Sequence, residues 1–554
     1  MNTKKTLLVF LSFILVFSLF LGACAKTDEG VTSDTGAQGE KETTEATAKE
    51  PKVGGDLVIG AFGNPKDAGN PLWSNDTASS EAIKDVVFDA LVKVDENFVA
   101  QPSMAERWET SDDGLTWTFY LKDNIKWHDG TKFTAEDVKF TYDIPRHEDY
   151  DGFRASDFEA IESVNVIDPL TVEVKFSRPY AKFIMVTAAY EILPKHILGD
   201  VPVAEMGEHE FSTSKPIGTG PFMFSEWKDG EYVKVVAFDD YHAGRPYLDS
   251  ITTRLYADQN ALLAALEGGS IDMMIIPQPD VNTAKEWEEK GSIKLHDTLA
   301  LSYTYLGYNL RNDLFKDVKV RQAITHALDR ETIIGAVMEG YGEVAHTPTS
   351  PLSWAYNPDT PQFEFNVEKA KQLLAEAGWE PGPDGILVKD GKRFSFELKT
   401  NQGNKVREDL AVIAQEQLKE VGIEVKINIM EWSAFINDVN PPNWKFDAII
   451  LGWALGMDPD PKPIWHSDNI QHGNNSIAYS RSDLDALMDE QNETLDPEER
   501  KKMIWKILNE IALDQPYTFL YYPMEFVATP TNLEGFTQHP RLRRYKAHEW
   551  WLDK

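Results

Sequence analysis

The chain has 554 residues, 90 acidic against 55 basic side chains, a formal charge of −35 and one cysteine. A body so acidic is repelled by nucleic acid and by anionic lipid head groups, so neither is an expected partner. A lone cysteine also excludes a disulfide framework.

Lys4 and Lys5 open the chain as a small positive head, and residues 6–21 form an apolar run broken only by hydroxyl residues. Small residues follow at Gly22 and Ala23, then Cys24, which is the arrangement of a secretory signal. The run is too short and wrongly flanked for a spanning helix of about 20 residues, and no second one follows, so a channel is excluded. Leu-Gly-Ala-Cys resembles the lipobox of bacterial lipoproteins. That resemblance implies a signal peptide over 1–23, a lipid on Cys24 and tethering to the outer face of a membrane; a free buried thiol is the alternative. Residues 24–52 contain no aromatic, Leu or Ile and read as a tether with a reach of roughly 30 Å.

About 500 residues remain, enough for two or three domains with sizeable cores. "GGDLVIGAF" is a buried-strand candidate, followed by the turn-rich loop "GNPKDAGNPLWSNDTASS". In "EAIKDVVFDALVKVD", Ile83, Val86, Val87, Ala90 and Leu91 share one helical face. "LTWTFYLK" alternates as a strand, Thr134 with Asp137 marks a helix N-terminus, and "VNVIDPLTVEVKF" reads as two strands around an Asp-Pro turn. Further on, "YLDSITTRLYADQNALLAALEGGSIDMMII" reads as strand, helix and strand, with the helix ended by Gly268 and Gly269. "VRQAITHALDRETII" and "EKAKQLLAEAGW" read as amphipathic helices; "FSFELKT", "EVKINIME" and "FDAIILGW" read as strands, with the helix "REDLAVIAQEQLKEVG" between the first two. Strands alternating with helices imply α/β lobes, and no short-period repeat suggests a solenoid.

In this order the segments resemble the bacterial extracellular solute-binding proteins of family 5, the oligopeptide and dipeptide receptors of ABC importers. The resemblance is carried by "AERWETSDDGLTWTFYLKDNIKWHDGTKFTAEDVKFTYD", supported by "IGTGPF", "GRPYLDSI", "ALEGGSIDMM", "LGYNLRNDLFKDVKVRQAITHALDRETII" and "GWALGMDPDP". It implies an α/β, two-lobed, periplasmic-binding-protein-like fold of class II. Lobe I would take 53–306 with an inserted subdomain at about 97–215, lobe II 307–518, and 519–554 would return to lobe I. The hinge would lie near "LGYNLRN" and "PYTFLYY".

The implied function is capture of short peptides by a monomer that closes on them, for delivery to an ABC permease and its separate ATPase, with no cofactor, metal or catalysis. An oligosaccharide or nickel-complex receptor of the same fold, and a surface hydrolase or chaperone, are the alternatives. A receptor for many sequences must hold the peptide backbone, which strand addition does. The resemblance assigns that pairing to Gly452, Trp453, Ala454 and Leu455, and the ligand ammonium to a nearby aspartate. Many peptide receptors have Asp three residues after the Trp; here that position is Gly456, so Asp458 is the candidate and Asp460 the next, with a turn of solvated carboxylates as the alternative. Trp432 is matched to a side-chain pocket, against a core role. Tyr521 and Tyr522 lie near the returning hinge, Tyr305 and Asn309 at the first crossing, where hinge packing is the alternative, and Trp73 is a candidate for the opposite rim of the cleft, against surface-loop packing. No nucleophile elbow or phosphate loop is present. His466 and His472 read as ordinary surface histidines, and "RLRRYK" as a solvated or packed edge.

Overall fold

A computed structural model describes residues 49–554; Cys24, the apolar run before it and nearly all of the tether lie outside the described residues. Pro51–Lys554 form one compact unit. Among the described residues no helix is long and apolar enough to cross a membrane.

The apolar run "DLVIGAF" forms the strand Asp56–Phe62, with Leu57 and Ile59 buried. It pairs in parallel with Ser250–Tyr256, and Tyr232–Ala237 and Phe222–Lys228 continue that sheet antiparallel. A separate antiparallel sheet contains Ala105–Thr110, Thr116–Leu121, Thr171–Phe176 and Ile161–Asp168. The Asp-Pro turn joins the last two strands where the sequence puts it. Helix Ala135–Asp143 starts with the reciprocal capping pair Thr134 and Asp137, which satisfies two backbone donors at once. One large core fills this half, from Leu57 through Phe119, Val172 and Phe183 to Trp550 at the returning C-terminus.

A larger sheet runs Met274–Ile276, Tyr517–Thr529, Ser302–Tyr308, Ala448–Ala454, Ser395–Asn401 and Glu424–Met430. Its last three strands are mutually parallel, and helix Lys405–Glu420 joins Ser395–Asn401 to Glu424–Met430, as strand–helix alternation requires. Their core is separate from the first and includes Leu306, Leu398, Leu410, Leu418 and Ile450. An adjoining aromatic cluster holds Tyr303, Tyr305, Trp465 and Tyr517. The two cores make the fold a two-lobed α/β one. The strand Tyr517–Thr529 serves both. Residues 517–521 pair with Ser302–Tyr308, and residues 524–529 with Lys294–Leu299.

Two helical expectations are corrected. Only Thr77–Val87 coils, in short α and π turns; Ala90 bridges to Glu191, and Val92–Val94 is a strand paired with Ala100–Pro102. All five residues of the supposed helical face are buried, so burial without helical continuation produced the same spacing. The turn ends where "IGTGPF" comes against it: a Cβ on Gly218 would lie 1.8 Å from the Val87 carbonyl oxygen, which only glycine avoids. The second, "VRQAITHALDRETII", is two helices, Val318–Ala327 and Arg330–Val337. Asp329 separates them because its carboxylate caps the second by accepting from the Thr332 amide. "RLRRYK" is a packed edge: the buried Arg544 donates to the Glu81 carbonyl and to Thr253.

Candidate functional site

Ligands of open parallel sheets sit at the carboxyl ends of the strands. In the second half those ends are Asn401, Met430 and Ala454. Strand Ala448–Ala454 pairs along its whole length with Ser302–Tyr308, but with Ser395–Asn401 only through Ala448 and Ile449. Its last residues therefore keep an edge without a strand partner. The register fixes which groups face that edge. Leu455 N–H donates to the Leu301 carbonyl at 2.8 Å, so by antiparallel alternation Leu451 and Trp453 also bond toward Ser302–Tyr308. Ile450, Gly452 and Ala454 present their N–H and C=O to the other side. The Ile450 carbonyl there accepts from the Thr400 hydroxyl at 3.1 Å, consistent with this assignment.

Beside the open edge lies Arg407, which the sequence reading missed. Asn404 caps its helix, and its Nη1 donates to Asn401 Oδ1 at 2.9 Å. A Cβ on Gly452 would come within 3.3 Å of Nη2, so the glycine lets the guanidinium lie against the strand. Burial pulls the Arg407 guanidinium below its usual pKa, opposed by nearby Tyr521 and Tyr305. Among the described residues no carboxylate pairs with it, and a partly buried cation without a counter-ion is costly unless a ligand supplies one. The recoverable signal was "NQGNKVRE": an N-cap asparagine directly after a strand, which aims the first helical turn at the strand ends.

The expected residues fall into distinct places. Ala454 is exposed on the open edge, with Gly452 half-buried before it. The Trp453 side chain turns inward, its indole N–H 3.4 Å from the Tyr517 hydroxyl. Leu455 and Met457 pack against the cluster of Val94, Phe98 and Leu301, so the loop after the strand touches the other half. A small cleft adjoins it, lined by Met457 together with Asp85, Glu191 and Arg544. Burial raises the Asp85 carboxyl to about 6, against the pull of Lys84. Trp432 starts helix Trp432–Val439 at the strand ends and is 50% exposed, so it is no core residue.

Other candidates lie elsewhere. Tyr305 is buried and stacked on Tyr517 with centroids 3.8 Å apart, and Asn309 donates to the Phe446 carbonyl at 2.8 Å; both are packing residues of the crossing. Tyr522 is buried and donates to the Thr347 carbonyl at 2.7 Å. Tyr521 is buried too, but near Arg407. Trp73 donates to Asp151 at 2.8 Å and packs edge-on against Tyr150, contacts within the first half. His466 is buried, not a surface residue, with Asp489 at 3.6 Å; among the described residues no metal-binding cluster forms.

Asp458 is not free to receive a ligand amine here. Both its oxygens are held by Arg500, at 2.6 and 2.7 Å, in a pair almost closed to solvent. Burial opposes the Arg500 charge, but the Asp458 carboxylate outweighs it and holds the guanidinium above its ordinary value. Asp460 is equally engaged, accepting from Lys182, Gln491, Asn492 and the Lys462 amide. The missing signal was Arg500, 42 residues away in sequence on helix Pro497–Asp514.

With that geometry described, comparison with known proteins defines the class. The model of the bacterial extracellular solute-binding proteins, family 5, matches residues 99–475, and the chain belongs to that family. It is 46% identical over the full length of both chains to the oligopeptide-binding protein AppA of Bacillus subtilis. The structure of that protein in complex with a nonapeptide superposes with a TM-score of 0.78 at 48% identity, covering 91% of this chain and all of the other. NikZ of Campylobacter jejuni in complex with Ni(L-His) is also similar, with a TM-score of 0.78 at 28% identity over 90% of this chain and 99% of the other. The fold is thus that of periplasmic binding proteins.

The Arg500–Asp458 pair makes one prediction. Asp458→Asn leaves a buried guanidinium uncompensated and should lower unfolding stability by about 3–5 kcal/mol in urea titration. An unchanged midpoint would show that the pair does not anchor the loop.

Proposed function

We propose that the protein is an exported receptor that captures peptides between its lobes and delivers them to an ABC importer. The observation that carries this reading is the open edge at Gly452 and Ala454 beside Arg407, which has no carboxylate partner among the described residues. Main-chain groups there can pair with any peptide backbone, and a guanidinium matches a terminal carboxylate. The likeness to a protein crystallised with a nonapeptide supports the same class of ligand. Trp432, open at the strand ends, suits a side-chain pocket. The energy of transport comes from the importer's ATPase, and the receptor itself, a monomer, performs no catalysis.

We assign lobe I to residues 53–306, with its insertion at 97–215, and lobe II to 307–518, with 519–554 returning. The hinge is best drawn where Lys294–Leu299 hands over to Ser302–Tyr308 along the shared strand, at 299–302 and 521–524, a few residues from the limits drawn on the resemblance. Closure about a hinge is the usual motion of such folds.

Native mass spectrometry of the Cys24→Ser chain with a pool of synthetic nonapeptides tests the reading. One-to-one complexes are expected, and Arg407→Met should weaken binding of free-acid peptides about tenfold while sparing carboxyl-amidated ones. Binding of sugar or nickel–histidine with no peptide complex would transfer the assignment to the alternative ligands.

A lipid on Cys24 would hold the receptor at the membrane. Cys24→Ser should then move the protein from the membrane fraction to the medium or periplasm; retention would disprove the anchor.

A further inference from the structure

The loop after the open strand edge is held from both halves of the molecule, and the two holds differ in kind. Asp458 pairs with Arg500 within the second half. Asp460 instead takes Lys182 Nζ at 3.0 Å, and Lys182 sits beside Tyr180 and Phe183 of the first core. The pair is well shielded, with the Lys182 and Asp460 side chains 18% and 6% exposed. Around it the Ala181 amide donates to the Asn492 carbonyl at 2.8 Å, and Arg178 lies 3.7 Å from Glu493. Gly114 closes the contact: a Cβ there would overlap Leu495 at 1.8 Å.

The partners of each charge are unequal. If Lys182 leaves, Asp460 still accepts from Gln491, Asn492 and the Lys462 amide, all within its own half. Without Asp460, Lys182 keeps the Tyr180 ring 5.7 Å away and the more distant Asp458 carboxylate, which Arg500 already holds, so its ammonium returns to water. Burial works against that ammonium, and the Asp460 carboxylate outweighs it, holding Lys182 above its ordinary pKa. A carboxylate that stays satisfied and a lysine that resolvates form a contact able to break and remake. Arg500 and Asp458, both buried and both bonded inside the second half, form a permanent one.

We propose that Lys182 is a positioning residue for ligand capture: its pairing with Asp460 ties the 456–462 loop, which Arg500 already holds within the second half, to the first half when the halves close. This rests on the peptide-receptor reading above. Closure then sets the ligand-pairing edge in a fixed place against the first half, although Lys182 touches no ligand.

The test uses the full Cys24→Ser chain with nitroxide labels at the exposed positions Glu162→Cys and Glu420→Cys, one in each half, comparing Lys182 with Lys182→Met. With the nonapeptide pool, the variant should lose most of the short label distance and bind about tenfold more weakly, within the usual range for coupled sites. Its urea midpoint should not move, which separates positioning from a merely structural role. Unchanged affinity and distances, or weaker binding only in step with lost stability, would overturn the proposal. Lys182→Gln, which keeps a polar end, serves if Lys182→Met does not fold. If no peptide binds the parent chain, the peptide reading fails separately. The ligand-free distances then decide: a short component in the parent that the variant lacks supports the latch, and identical distributions overturn it.

Discussion

Thirteen residues, Tyr517–Thr529, pair with strands of both halves, and the geometry of the site depends on that continuity. Its first residues hold Ser302–Tyr308, which in turn holds Ala448–Ala454 in the register that directs Gly452 and Ala454 outward. Its last residues hold Lys294–Leu299 and Met274–Ile276 beside the first core. Because a shift of one residue exchanges the two faces and edges of a strand, the shared strand sets which backbone groups reach a ligand. The aromatic stack of Tyr305 on Tyr517 locks this register from beneath and explains why tyrosines at the crossing are packing residues.

A ligand-pairing edge must be polar and open, yet the loop that follows it must be held. The chain meets both demands by changing residue type over ten positions. Ile449, Ile450 and Leu451 are buried, Ala454 and Gly456 are exposed, and Asp458 returns to the interior against Arg500. The strand end is thus suspended between an apolar anchor and an ionic one. A bidentate pair suits the second role because it fixes orientation as well as position.

Much of the fold was legible in the sequence because local chemistry and tertiary burial agree there. The Thr134–Asp137 cap, the Asp-Pro turn before Thr171 and the parallel strands around Lys405–Glu420 are examples. Where burial alone set the pattern, as from Ile83 to Leu91, the spacing of apolar residues did not distinguish a helix from a turn followed by a strand. The site was legible only in part. The open strand was identifiable from its run into Gly452, since a strand edge is a local property. The roles of Asp458 and Asp460 were not, because Arg500, Lys182 and Gln491 reach them from distant segments. Two acids in a proline-flanked turn look solvated until their partners are placed. Arg407 was overlooked for the converse reason: the charged helix start from Lys405 to Asp409 reads as solvated surface, and only the adjoining strand ends show that it is not.

The central claim is that a ligand backbone pairs with the open edge at Gly452 and Ala454. Residue-resolved amide exchange at Gly452 and Ala454, with and without bound nonapeptide, tests it most directly. The account predicts that both amides become protected on binding while Trp453, already bonded to Ser302–Tyr308, changes little. Peptide bound at full affinity with Gly452 and Ala454 still exchanging freely would contradict it.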